Sequence, residues 1–181
     1  MKAAVHVATG LVALLAANAI ASKADAAEWY GAVKVGQTQS SVEGIDLTDE
    51  LAYGAAIGTS VGPVRVEAGV DHLAGSFANI VNADAFDYNA TAYLDLPVGH
   101  NSSVFVGGGV DYIDGSASIY GSSIDASGEG YHWAVGAAHR FAPGVIGEVQ
   151  WRQTTANLNT DFADGVDLDA TEITAGLRFT L

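Results

Sequence analysis

The sequence predicts an all-β protein, an eight-stranded antiparallel up-and-down transmembrane β-barrel. Three observations predict it. Segments of about ten residues with alternating polarity recur along the chain after an apolar start. The connections between them alternate between short turns with Pro or Gly and long polar stretches. The two faces of the segments differ in kind: one is aliphatic with aromatic ends, the other small and charged.

Bulk composition bounds the reading. A chain of 181 residues suits one domain. With no cysteine, neither a disulfide nor a thiolate metal site can form. Three prolines and 22 glycines favour extended segments and turns over helices. A net charge of −14 excludes nucleic acid as a partner, because neutralising phosphates needs clustered Lys and Arg.

The first segment, residues 1–26, reads as a signal peptide. Lys2 supplies the charged start, Val5 to Ala21 is mostly apolar, and Ala24-Asp25-Ala26 gives a small-x-small cleavage pattern. A membrane anchor is the competing reading, but the apolar run is Ala-heavy and a cleavage pattern follows it. The barrel domain is then 27–181. Two of the seven Lys and Arg, Lys2 and Lys23, leave with the leader, so five remain.

Strands are expected near Trp29–Thr38, Leu51–Val61, Val64–Leu73, Phe86–Leu96, Ser103–Ile113, Tyr131–Phe141, Val145–Gln153 and Thr171–Leu181. The short connections are Gly62-Pro63, Pro97 to Ser102, and Ala142-Pro143-Gly144. They hold all three prolines, where a missing N–H breaks no ladder. The long connections are Gln39–Glu50, Ala74–Ala85, Asp114–Gly130 and Thr154–Ala170, rich in Ser, Asn, Asp and Gly and without Lys or Arg. Short turns at one end and long loops at the other are expected of a barrel that spans the bacterial outer membrane.

The outward face is aliphatic at mid-strand and aromatic at both ends. Tyr53, Phe86, Tyr88, Tyr112, Tyr131, Trp133 and Trp151 lie toward the long loops, and Trp29, Phe141 and Phe179 toward the short turns. Such girdles mark the two membrane interfaces. The inward face leaves room with Gly54, Gly58, Gly107, Ala134, Gly136 and Ala138. It carries Lys34, Arg65, Arg140, Arg152 and Arg178 beside Glu67, Asp71, Asp87, Asp95, Asp111, Glu148 and Glu172. Buried charges on that scale must pair, and an eight-stranded barrel is narrow enough for side chains to fill. A plugged lumen is expected, with Arg140 meeting Glu148 across the turn between strands six and seven. The inverse arrangement, a solvated outside around an apolar lumen, would suit a soluble carrier but leaves the girdles and loop asymmetry without a reason.

The last strand, T-E-I-T-A-G-L-R-F-T-L at Thr171–Leu181, keeps a period of two to the final residue. This ending resembles the C-terminal assembly signal of outer-membrane β-barrels, with Leu181 where Phe is usual and Phe179 two positions earlier. Together with E-W-Y-G-A-V-K-V-G at Glu28–Gly36 and H-R-F-A-P-G at His139–Gly144, the mature chain resembles the small outer-membrane barrels that include OmpX-like, Opa-like and OmpA-transmembrane-domain proteins. The resemblance implies location in the bacterial outer membrane, contact with its lipid and lipopolysaccharide, delivery by the barrel-assembly machinery, and a monomer.

Motifs that could carry chemistry fail on context. Gly58-Thr59-Ser60-Val61-Gly62 fits G-x-S-x-G, but that motif needs a strand-to-helix turn and Pro63 with another strand follows. His100-Asn101-Ser102 has a His-x-Ser spacing, yet it falls in a short turn, and the nearest acid in sequence, Asp95, faces inward. His72, His132 and His139 have no metal-ligand spacing. Asp161, Asp164, Asp167 and Asp169 make the fourth loop acidic without the calcium-loop pattern. The expectation is a non-enzymatic structural surface protein, without cofactor or metal, presenting four acidic extracellular loops in an adhesin-like or membrane-integrity role. A small passive pore and a lipid A-modifying enzyme are the alternatives.

Overall fold

The computed structural model describes residues 27–42, 45–46, 50–77, 81–119, 122–160 and 164–181. The leader expected over 1–26 lies outside them, as do the tips of the four long connections. The strands are β1 Ala27–Val42, β2 Ile45–Asp46, β3 Glu50–Val61, β4 Val64–Phe77, β5 Val81–Pro97, β6 Ser102–Ile119, β7 Ser122–Ala142, β8 Val145–Thr160 and β9 Asp164–Thr180. β1 pairs antiparallel with β3, each strand from β3 to β8 with the next, and β9 with β1, which closes an eight-stranded barrel. The two-residue β2 folds back on Ser41 and Val42 of β1.

The eight segments read from alternation are present and in order, but the long connections differ from expectation. They are largely ladder. Asp114–Ile119 of β6 pairs residue for residue with Ser122–Ser127 of β7, and Leu73–Phe77 of β4 pairs with Val81–Ala85 of β5. Strand β7 runs 21 residues, about twice the 9–11 that a tilted membrane strand needs. Their outward side is polar, while inward Ala85, Ala156, Leu158, Val166 and Leu168 pack together; the backbone bonds continue because the partner strand is already aligned.

The other end is tight. Gly62 and Gly144 take φ of 60° and 77° in their turns, the left-handed region that glycine enters at no steric cost. The turns are stitched to neighbours: the Asp95 N–H donates to the Pro63 carbonyl at 2.8 Å, and the Arg140 N–H to that of Asn101 at 2.8 Å. The chain end is held too, because the Leu181 N–H donates to the Trp29 carbonyl at 2.8 Å.

Side chains alternate out and in. The outward rows carry exposed Val33, Ile57, Val104, Val149 and Ile173 with the aromatic ends, the inverse of a water-soluble surface. The inward rows hold the buried residues, most of them polar.

Candidate functional site

The inward rows of eight strands meet in one lumen, and cross-strand register stacks its side chains in tiers. Nearest the short turns, Arg65 is 0 % exposed. Its Nη1 lies 2.7 Å from Glu67 Oε1 and its Nε 3.1 Å from Asp95 Oδ2. The guanidinium carbon sits 3.9 Å from the Tyr93 ring centre and 5.0 Å from that of Phe105. A flat delocalised cation with weak hydration suits such aromatic walls. The Tyr30 hydroxyl donates to Glu67 at 2.9 Å, and the Tyr93 hydroxyl to Gln150 Oε1 at 3.2 Å. Glu148 Oε2 lies 2.9 Å from Arg178 Nε, an ion pair whose angle falls outside hydrogen-bond geometry.

A second tier centres on Arg152. Its Nη1 donates to Asp71 Oδ2 at 2.9 Å, and its Nη2 to Asp87 Oδ2 at 2.5 Å and to Asp111 Oδ1. Lys34 Nζ reaches the same Asp71 oxygen at 2.8 Å, and Asn89 donates to it at 2.8 Å. Glu172 stands opposite Arg152 on β9 and is buried. His132 bridges Asp111, at 2.8 Å from Nδ1, and the Thr91 hydroxyl, at 2.9 Å from Nε2. Above this tier, toward the extensions, Ile113, Ala156, Leu158 and Leu168 form a buried apolar cluster, joined by Ala85 and Val166.

Large lumen side chains fit because glycine faces them. A Cβ on Gly58 would strike the Tyr30 ring, on Gly107 the Tyr93 ring, on Gly136 the Phe105 ring, and on Gly109 the His132 ring. The small inner residues are therefore matched one by one to bulky partners, which is how a narrow interior reaches close packing.

Eleven of the twelve charges read from sequence as lumen residues fall in these tiers: Lys34, Arg65, Glu67, Asp71, Asp87, Asp95, Asp111, Glu148, Arg152, Glu172 and Arg178. Arg140 does not. It lies opposite Ile146 as expected, but its side chain is exposed at the mouth, and Arg178 takes Glu148 in its place. A bulge between Arg140 and Ala142 ends the strand there, so Ala142 rather than Phe141 opposes Val145. Tyr30, Tyr93, Phe105, Thr91 and His132 also face the lumen and lie outside the set of charges expected there. Parity could have found them, since Tyr93 shares its row with Asp87 and Asp95 and Phe105 with Asp111.

Of the expected girdle, Trp29, Tyr53, Phe86, Tyr88, Tyr112, Tyr131, Trp133, Phe141 and Phe179 are exposed on the outward face. Trp151 is half-buried against Trp133, ring centres 4.5 Å apart. His72 stacks on Tyr53 and meets Phe86 edge-on, with Nε2 2.8 Å from Asp84. Ser102 meets His139 across the ladder, Oγ to Nδ1 2.9 Å, and not His100 of its own turn. Among the described residues no carboxylate completes that pair. Ser60 sits in a strand opposite Glu28 and Arg65, with no helix following.

Known proteins bear on this geometry in two ways. The family described as outer membrane protein beta-barrel domain matches residues 8–180. Among solved structures, Neisserial surface protein A superposes with a TM-score of 0.74 at 14 % identity, covering 84 % of this chain and 97 % of its own. Ail, the attachment invasion locus protein of Yersinia pestis, superposes with a TM-score of 0.56 at 14 % identity, covering 84 % and 99 %. A major outer membrane protein of Thermus thermophilus gives 0.56 at 10 % identity, covering 86 % and 100 %. At these identities the likeness is one of fold. No curated protein sequence matches the chain.

Proposed function

Because the chain belongs to the family of outer-membrane β-barrel domain proteins, we propose that it is a monomeric structural surface protein whose lumen is closed by its own side chains. Its working surface is the extended strand ends, in an adhesin-like or membrane-integrity role. The observation that carries this reading is the filled interior: two ionic tiers beneath an apolar cluster leave the outside as the place for a partner. Strand β9 serves as the segment handed to the barrel-assembly machinery, and the aromatic ends contact lipid and lipopolysaccharide.

The chemistry of the extensions narrows the partner. Asp84, Asp114, Asp125, Glu129, Asp167 and Asp169 are exposed there, and no Lys or Arg accompanies them among the described residues. Ail was solved with sucrose octasulfate, a heparin analogue and a polyanion. A polyanion would be repelled by the acidic extensions of this chain, so its partner is cationic, or anionic only through bridging divalent cations.

The test is conductance. Purified barrel inserted into planar bilayers is expected to give no stepwise current. Steady steps from the wild-type protein would overturn the closed lumen and favour the passive pore. For the lipid A-modifying alternative the nearest approach is the Ser102–His139 contact, which lacks the acid that would orient the histidine.

A further inference from the structure

Four of the five cations among the described residues sit against carboxylates: Lys34, Arg65, Arg152 and Arg178. Arg140 is the exception, with no carboxylate within 4.0 Å and an exposed side chain. In a chain of net charge −14, an unmatched guanidinium is a feature to account for. It lines a pocket of about 170 Å³ with His100, Asn101, Ser103 and Arg178, at the end that carries the short turns.

That pocket lies at the lumen mouth, with Ala138 and Ile146 on its inward side; across the strand rim from it is an apolar groove of about 470 Å³ on the outside of the barrel, and Ser102, Ser103 and Ala138 line both. The groove is formed by Val98, Val104, Ala137, Phe141, Val149 and Leu177. These are outward residues on four successive strands, β6 to β9, with Val98 from the turn before them. Ala137 and Gly147 keep it low between larger neighbours. The Ser102–His139 pair stands between groove and pocket, a polar step on an otherwise apolar strip.

We infer that the groove and pocket together form a binding site for one anionic phospholipid of the leaflet on the periplasmic side. An acyl chain lies along the groove, and the phosphate is received by Arg140 with the hydroxyls and imidazoles beside it. Charge complementarity chooses the occupant. A guanidinium accepts phosphate through paired N–H donors, and a basic pocket at the membrane edge suits a lipid headgroup. Short turns face the periplasm in this family of folds, which places the site in the phospholipid leaflet and away from lipopolysaccharide.

The experiment is native mass spectrometry of the full barrel released from nanodiscs holding equal parts phosphatidylglycerol and phosphatidylcholine. Wild type is expected to retain phosphatidylglycerol preferentially. Arg140→Gln removes a charge-assisted contact and should lower that retention by roughly tenfold. Ala137→Trp fills the groove from outside and should release both lipids. Arg140 and Ala137 are exposed and outside the ion pairs, and an unchanged gel shift on heating verifies that each variant folds. Equal phosphatidylglycerol retention by wild type and Arg140→Gln would overturn the site. So would enrichment that inorganic phosphate abolishes while Ala137→Trp leaves it intact, because the site would then hold a free anion. Neither result touches the conductance test of the closed lumen.

Discussion

Glu148 has two arginines within diagonal reach, and the one it takes shows how the lumen assigns its partners. It stands opposite Gly176 on β9, so Arg178 lies two residues along; it stands opposite Ala138 on β7, so Arg140 does as well. Diagonal neighbours are about 7–8 Å apart, near enough for either contact. Arg178 is buried, whereas Arg140 is exposed at the mouth. The carboxylate therefore serves the cation that water reaches less. Removing one member of a buried pair strands a charge, so Glu148→Ala and Arg178→Ala should each cost about 3–5 kcal/mol. In urea titrations of vesicle-inserted barrel the double mutant should cost less than the sum of the two. Arg140→Ala should leave the midpoint where it is. A shift from Arg140→Ala as large as that from Arg178→Ala would restore the sequence-based pairing.

At the scale of the strands, the unexpected result is how far the ladder continues beyond the girdle. Asp114–Ile119 of β6 is paired on both sides, with Val81–Phe86 of β5 and with Ser122–Ser127 of β7. Ser122–Asp125 of β7 is paired only with β6, because β8 joins from Ala126 onward. Amide hydrogen exchange separates these cases. All amides of Asp114–Ser118 are expected to be protected, and those of Ser123–Asp125 only alternately, since in an antiparallel pair alternate residues bond to the same neighbour. Exchange throughout Asp114–Ser118 at the rate of denatured chain would return this segment to the class of open loops. The same extension raises the acidic surface above the aromatic band, away from the lipid headgroups.

For the whole molecule, closure matters more than any single contact. With β1 paired to β9 no edge remains in the spanning part of the sheet. In hydrocarbon that condition decides whether the structure exists at all. Opening the barrel should therefore require heat as well as detergent. Unboiled and boiled samples are expected to run at different positions on an SDS gel, and identical mobility of membrane-extracted protein would count against a closed sheet. Closure also sets the interior: within the ring of eight strands stand Arg152, Arg65 and their carboxylate partners.

Strand number, strand order and the alternation of two faces are legible in the sequence. These follow from a period of two and from turn chemistry, and both are local: Val33 and Lys34 are assigned to opposite faces without knowing what lies beside them. The same parity places Tyr93, Phe105 and His132 inside. Which charge meets which depends on the closed sheet. Arg152 and Asp71 are 81 residues apart and touch because register accumulates around a closed sheet, one strand pair after another. The length of the extensions was decided there too. A ladder needs its partner already aligned and no apolar pattern, so Ser116 and Asp125 can face each other in a strand while reading, in sequence, as loop.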